Sequence, residues 1–268
     1  MNGARIAGRN GVVGRRGGGA TRTLVVFDGE LPSVLALAYA AEDAAMSERT
    51  TRAAAGEKVG AMVGASHAGA AGSGGLGAAF GVADSGATSI VDVRPLVLGA
   101  WAGLPEARLR AEAAAKAVDL LGGELAGDEH GDLTPRFDVA GEGDSRLLLH
   151  AAYQAVAAGC TRVVWPVQFG EDLRTPTPSL ERVATAVDRA MLVSRVAGLD
   201  APDAAGVEVV APFVDLSDRQ IAEMVMDIEA PLSACWWWGA DLPAAHREQD
   251  HWGGLLRSLG WGGAIGPA

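Results

Sequence analysis

The stretch Leu24–Glu42, LVVFDGELPSVLALAYAAE, decides how the chain is read. Leu24–Phe27 is an apolar run of strand type. Asp28–Ser33 is a short polar loop, and Val34–Ala41 resumes with helical spacing. Strand, tight loop and helix N-terminus together make a cradle for phosphate, because unpaired backbone N–H groups and the positive end of the helix dipole face the loop. Yet this loop carries two carboxylates, Asp28 and Glu30, where an anion would sit. One carboxylate about 6 Å from a phosphate charge costs roughly 3 kcal/mol at an effective dielectric near 20. Two readings therefore stand open. Either Mg²⁺ bridges the acids to a nucleotide, or the acids face water and favour the helix N-terminus.

Outward from this unit, strand-like and helical patterns alternate. Thr23–Phe27 is the first strand and Pro32–Met46 the first helix, with Pro32 tolerated in its first turn. Thr88–Leu98, Arg162–Trp165 and Val207–Ala211 read as further strands. Leu104–Leu121, Ser145–Ala158, Ser179–Val196 and Asp215–Ile228 read as helices, two of them followed by glycine stop signals at Gly122 and Gly159. This alternation predicts an α/β fold with a mainly parallel five-stranded sheet and helices on both faces. Ser47–Ala87 is rich in Gly, Ala and Ser, and a structureless loop of that length is uncommon. It is read as an insertion: a mobile lid, a helical excursion or a disordered segment. Residues 1–22, rich in Gly and Arg, read as a disordered tail. Residues 23–232 form the α/β domain, and 233–268 a Trp-rich C-terminal appendix.

Composition narrows the function. The 268 residues carry a formal net charge of −11, which excludes nonspecific nucleic-acid binding through a basic surface. Two cysteines, Cys160 and Cys235, provide no disulfide framework, and a reducing cytoplasm is the expected compartment. No apolar run is long enough to predict a membrane span. Only 5% of residues are aromatic, so the seven tryptophans, five of them after residue 235, mark the C-terminal segment as distinctive.

Three collinear segments resemble the 7-cyano-7-deazaguanine synthases, the queuosine-precursor enzymes among the N-type ATP pyrophosphatases. Asp28-Gly29-Glu30-Leu31-Pro32-Ser33 stands where that family has a Ser-Gly-Gly-x-Asp-Ser loop. Gly141-Glu142-Gly143-Asp144-Ser145-Arg146 is similar to its Pro-Gly-Arg-Asn motif and the helix that follows. Ala211-Pro212-Phe213-Val214-Asp215-Leu216-Ser217, then Ala230-Pro231-Leu232 and Cys235, is similar to the approach to the family's zinc site. The resemblance implies an adenine-nucleotide α-hydrolase-like (Rossmann-like) sandwich. It also implies an ATP-dependent ligase that converts 7-carboxy-7-deazaguanine to the nitrile through an adenylated carboxylate attacked by ammonia. ATP and Mg²⁺ are the implied cofactors, with Asp28, Gly29, Glu30, Ser33, Gly143, Asp144 and Ser145 as candidate nucleotide-site positions. Implied partners are a nucleotide or deazapurine, a second copy or an active paralogue.

The residues depart from that family's chemistry. An ionised Asp28 has no proton to donate where the family serine stands. Glu30 adds bulk and charge where a glycine lets the backbone approach. Pro32 lacks an N–H. Asp144 and Ser145 replace the Arg-Asn pair and suit a helix N-cap. Of four zinc-site cysteines only Cys235 remains, which makes zinc unexpected. His246, Asp250 and His251 are the weak substitute ligands, since positions five apart do not share a helix face. Trp236, Trp237, Trp238, Trp252 and Trp261 offer two further readings: a hydrophobic staple in place of the metal, or a surface that stacks a flat purine-like ring. With these losses, a pseudoenzyme or structural subunit is the alternative to a divergent ligase.

Overall fold

The structure is a computed structural model that describes residues 22–66, 92–93, 106–122, 124–125, 144–169, 179–201 and 206–263. In chain order the elements are β1 (Thr23–Val25), α1 (Leu31–Ser66), β2 (Asp92–Val93), α2 (Glu106–Leu121), β3 (Glu124–Leu125), α3 (Asp144–Ala158), β4 (Arg162–Val164), α4 (Leu180–Asp200), β5 (Glu208–Val210), α5 (Asp218–Asp227) and α6 (Pro243–Ser258). The chain is α/β, and every strand pairing among the described residues is parallel.

The expected five-stranded sheet is corrected. Backbone hydrogen bonds join β1, β4 and β5 into a three-stranded sheet, and β2 and β3 form a separate two-stranded pair. In the larger sheet, Leu24 faces Val163 and Val163 faces Val209 in register. The pair approaches the sheet through β2, which lies beside β1. The strands are only two or three residues long, so the ladder itself supplies few bonds and packing on both faces must hold it.

Alternation along the strands divides the interior in two. Val25, Phe27 and Val164 join one core with α1, α2, α5 and α6. Leu24, Val26, Val163, Trp165 and Val209 join the other with α3 and α4. Helices therefore cover both faces, as the alternating pattern requires.

Local signals set the helix ends. Ser217 and Gln220 form a reciprocal capping box at the start of α5, and the Ser179 hydroxyl accepts from the Arg182 N–H at the start of α4. At the end of α2, Gly122 adopts φ +75°, where a side chain would be strained. The first helix does not stop at Met46. It continues to Ser66, so the front of the proposed insertion takes the helical alternative, while residues 67–87 lie outside those described. Residues 47–66 contain no proline and many alanines, and glycines within a helix cost only about 1 kcal/mol each. The tail at 1–21 also lies outside the described residues.

The C-terminal segment packs into the core on one face of the sheet. A 3₁₀ turn at Leu232–Ala234 leads to Trp236 and Trp237, and α6 follows. Trp236, Trp237, Ala245, Trp252 and Leu256 are buried in the same core as Leu31, Leu35 and Ile221. Trp238 links Trp237 and Trp261, with ring centroids at 6.2 and 5.9 Å. The burial of Trp236, Trp237 and Trp252 fits a hydrophobic staple, while Trp238 and Trp261 are half-buried.

Candidate functional site: a loop closed on its own carboxylate

The loop after β1 sits at the carboxyl end of a parallel strand and opens α1, the position at which open α/β sheets bind ligands. Its donors are already engaged. The Asp28 carboxylate accepts from the Glu30 N–H at 2.9 Å. The Ser33 hydroxyl accepts from the Gly29 N–H at 3.1 Å and donates to the Glu30 carbonyl at 2.8 Å. That carbonyl also accepts from the Ser33 and Val34 N–H groups at 3.0 and 3.2 Å. Pro32 has no N–H to offer. The Gly29, Glu30, Ser33 and Val34 N–H groups are thus bound by the loop's own atoms.

Glu30 does not face water as an isolated acid. Its Oε1 accepts from Arg110 Nη2 at 2.6 Å and from Trp236 Nε1 at 2.8 Å. Arg110 also donates from Nη1 to the Asp28 carbonyl at 2.6 Å, and its guanidinium lies 4.6 Å from the Trp236 ring centroid. The Arg110 side chain is only 3% exposed, against 26% for Glu30. A fork that bonds a carboxylate and stacks on an indole is a task suited to arginine. Burial, then the charge of Asp28, raises the Glu30 carboxyl to about 7, against the opposing pull of Arg110 and the Trp236 N–H. Both forms of the carboxyl can still accept at Oε1.

Trp236 closes the loop from above. Its backbone N–H donates to the Gly29 carbonyl at 2.9 Å. Gly29 adopts φ +81°, and a Cβ there would lie 3.0 Å from the Trp236 Cβ. Glycine is therefore needed twice over, for the backbone turn and for the indole's approach.

The remaining candidates do not join this cluster. Gly143 lies outside the described residues. Asp144 and Ser145 open α3, whose buried side packs in the core on the other face of the sheet. No hydrogen bond or ion pair among the described residues links Ser145 to the loop. Cys235 is buried, and burial with Glu30 and Asp28 nearby raises its thiol well above the usual range, so the thiolate a metal needs is disfavoured. His246 is exposed and lies 3.3 Å from Asp241. His251 lies 2.8 Å from Asp218, which also accepts from Gln168 Nε2 at 2.8 Å. Among the described residues no three His, Cys, Asp or Glu side chains converge to hold a metal ion, so Cys235, His246, Asp250 and His251 do not form the substitute site.

Sequence reasoning missed Arg110, Trp236 as a hydrogen-bond donor, and the Gln168–Asp218–His251 chain. Arg110 did leave a signal. It shares the helix face of Ala113, Ala114 and Ala117, at spacings of three, four and seven, and an arginine in a buried alanine stripe requires a polar partner. Comparison with protein-family models, with curated proteins and with solved structures returns no match.

Proposed function

We propose that this chain is a pseudoenzyme built on an adenine-nucleotide α-hydrolase-like scaffold, a divergent relative of the 7-cyano-7-deazaguanine synthases that acts by binding rather than by ATP-dependent turnover. One observation carries this reading: the Gly29 and Glu30 amides of the phosphate-type loop are taken by Ser33 and by the Asp28 carboxylate, and Glu30 is tied to Arg110 and Trp236. The two acids that contradict a phosphate site are accounted for together. Asp28 satisfies the Glu30 amide, and the Glu30 carboxylate is held by Arg110 and Trp236.

The architecture supports the ancestry. The loop stands at the carboxyl end of β1, in a parallel three-stranded sheet ordered β1, β4, β5. Open parallel α/β sheets bind their ligands at that end. The chemistry supports the loss of function. A triphosphate entering the loop would have to displace a charged hydrogen bond, an indole and two side-chain acceptors, then meet Asp28. Without ATP, adenylation of a carboxylate does not begin, and Mg²⁺ has no role. A nucleotide-like or deazapurine ligand, or an active paralogue, remains the class of partner that such a scaffold suits.

A thermal-shift titration with Mg·ATP tests the reading. Anything that binds the native state alone raises the melting temperature, by about 2.7 kcal/mol of added stability at one hundred times its Kd. No shift is expected at millimolar Mg·ATP. A saturable rise would return the chain to the ligases. The variant Asp28→Ser/Glu30→Gly/Pro32→Asp releases the Arg110 fork and the loop amides, and it is expected to gain a shift that the wild type lacks.

A further inference from the structure

Six of the nine exposed large hydrophobic residues among those described lie on α4: Leu180, Val187, Met191, Leu192, Val196 and Leu199, at 40–78% exposure. The opposite side of the helix, Ala186, Ala190, Val193 and Ala197, is the buried one. The exposed residues therefore line the outer face of an otherwise well-packed helix. Scattered apolar residues on a surface need no explanation, but a concentration on one helix does.

Between the apolar rows runs a polar line. Asp188 and Arg195 are seven residues apart, two helical turns on one side of α4. Both are exposed, and neither has an ion-pair partner among the described residues. The line carries an acid toward one end and a base toward the other, so it complements itself when reversed. We propose that the outer face of α4 binds a second copy of this chain, with the two helices antiparallel about a two-fold axis between Met191 and Leu192.

That axis sets Asp188 beside Arg195 of the second copy, and symmetry repeats the pair. Met191 meets Met191 of the second copy and Leu192 meets Leu192 across the axis. The large Leu199 lies over the small Ala184 of the second copy. An isologous interface requires such matching of residue i with j and j with i. Desolvated charge pairs within an apolar contact fix register, because any other alignment leaves them unpaired. The surface is separate from the closed loop, and the inference stands or falls without it.

Sedimentation equilibrium of the full chain, with three variants, tests this pairing. The wild type is expected to dimerise with a Kd in the micromolar range. Asp188→Arg and Arg195→Asp each place like charges together twice, and each is expected to weaken the dimer by roughly tenfold or more. The double variant Asp188→Arg/Arg195→Asp exchanges the two charges and restores the pairing, so it is expected to return to the wild-type mass. Both positions changed are exposed, and unchanged far-UV circular dichroism confirms the fold. A wild type that stays monomeric at about 100 μM, well above a micromolar Kd, overturns the proposal. So do single reversals that leave a dimer intact, or a double variant that fails to recover.

Discussion

Glu30 concentrates the physical conflict of this molecule in one side chain. Its carboxyl bonds to Arg110 and Trp236, yet burial and the neighbouring Asp28 raise it to about 7. A carboxyl whose folded value lies above its ordinary value of 4.5 favours the folded state in its protonated form. That contribution is complete below about pH 4.5 and is lost as pH rises through about 7. Glu30→Gln keeps an acceptor at the same place and removes the titration. The variant is expected to gain stability relative to wild type between pH 5 and pH 8, on the order of 1–2 kcal/mol once partial exposure is discounted. Urea unfolding of both proteins across this range checks the sign, and parallel pH profiles would refute it. The sequence revealed that acids occupy an anion position. It did not reveal that one of them turns inward, because its partners lie 80 and 206 residues away. Local pattern carries no record of such a pairing.

The β1–loop–α1 element was legible in outline for a simple reason. An apolar run, a Gly-containing polar turn and a helical spacing all follow one another within twenty residues. Its length was not legible, since the glycines after Met46 leave a lid, a helical excursion and a disordered segment all open, while the helix runs on to Ser66. The two-residue strand β3, Glu124–Leu125, is too short to leave a period of two. Within the element, Gly29 is the position most exposed to test. Gly29→Ala forces a side chain into φ +81° and into the Trp236 Cβ. A loss of about 2–3 kcal/mol is expected, from the left-handed backbone and the contact together. Chemical denaturation measures it. A neutral substitution would mean that Trp236 does not sit over the turn.

At the scale of the molecule, one core runs from α1 through α5 to α6, and the C-terminal tryptophans are part of it. Periodicity could not show this, because the burial of these tryptophans depends on helices distant in the chain. Trp252, 5% exposed on α6, tests the integration. Trp252→Ala is expected to cost about 3–5 kcal/mol. In the wild type, circular dichroism and tryptophan fluorescence should trace the same single transition. Two separated transitions would show a C-terminal unit that folds apart. The helices of the opposite core, α3 and α4, followed the sequence pattern closely, since each carries a clean apolar face against the sheet.

The central claim is that the loop's donors are consumed by the chain itself. Amide hydrogen exchange at Gly29 and Glu30 reads those donors directly, with and without Mg·ATP. Both N–H groups have side-chain acceptors, at 3.1 and 2.9 Å. Both are therefore expected to exchange slowly in the free protein and to stay unchanged when Mg·ATP is added. Fast exchange in the free protein, with protection appearing on addition of nucleotide, would contradict the account.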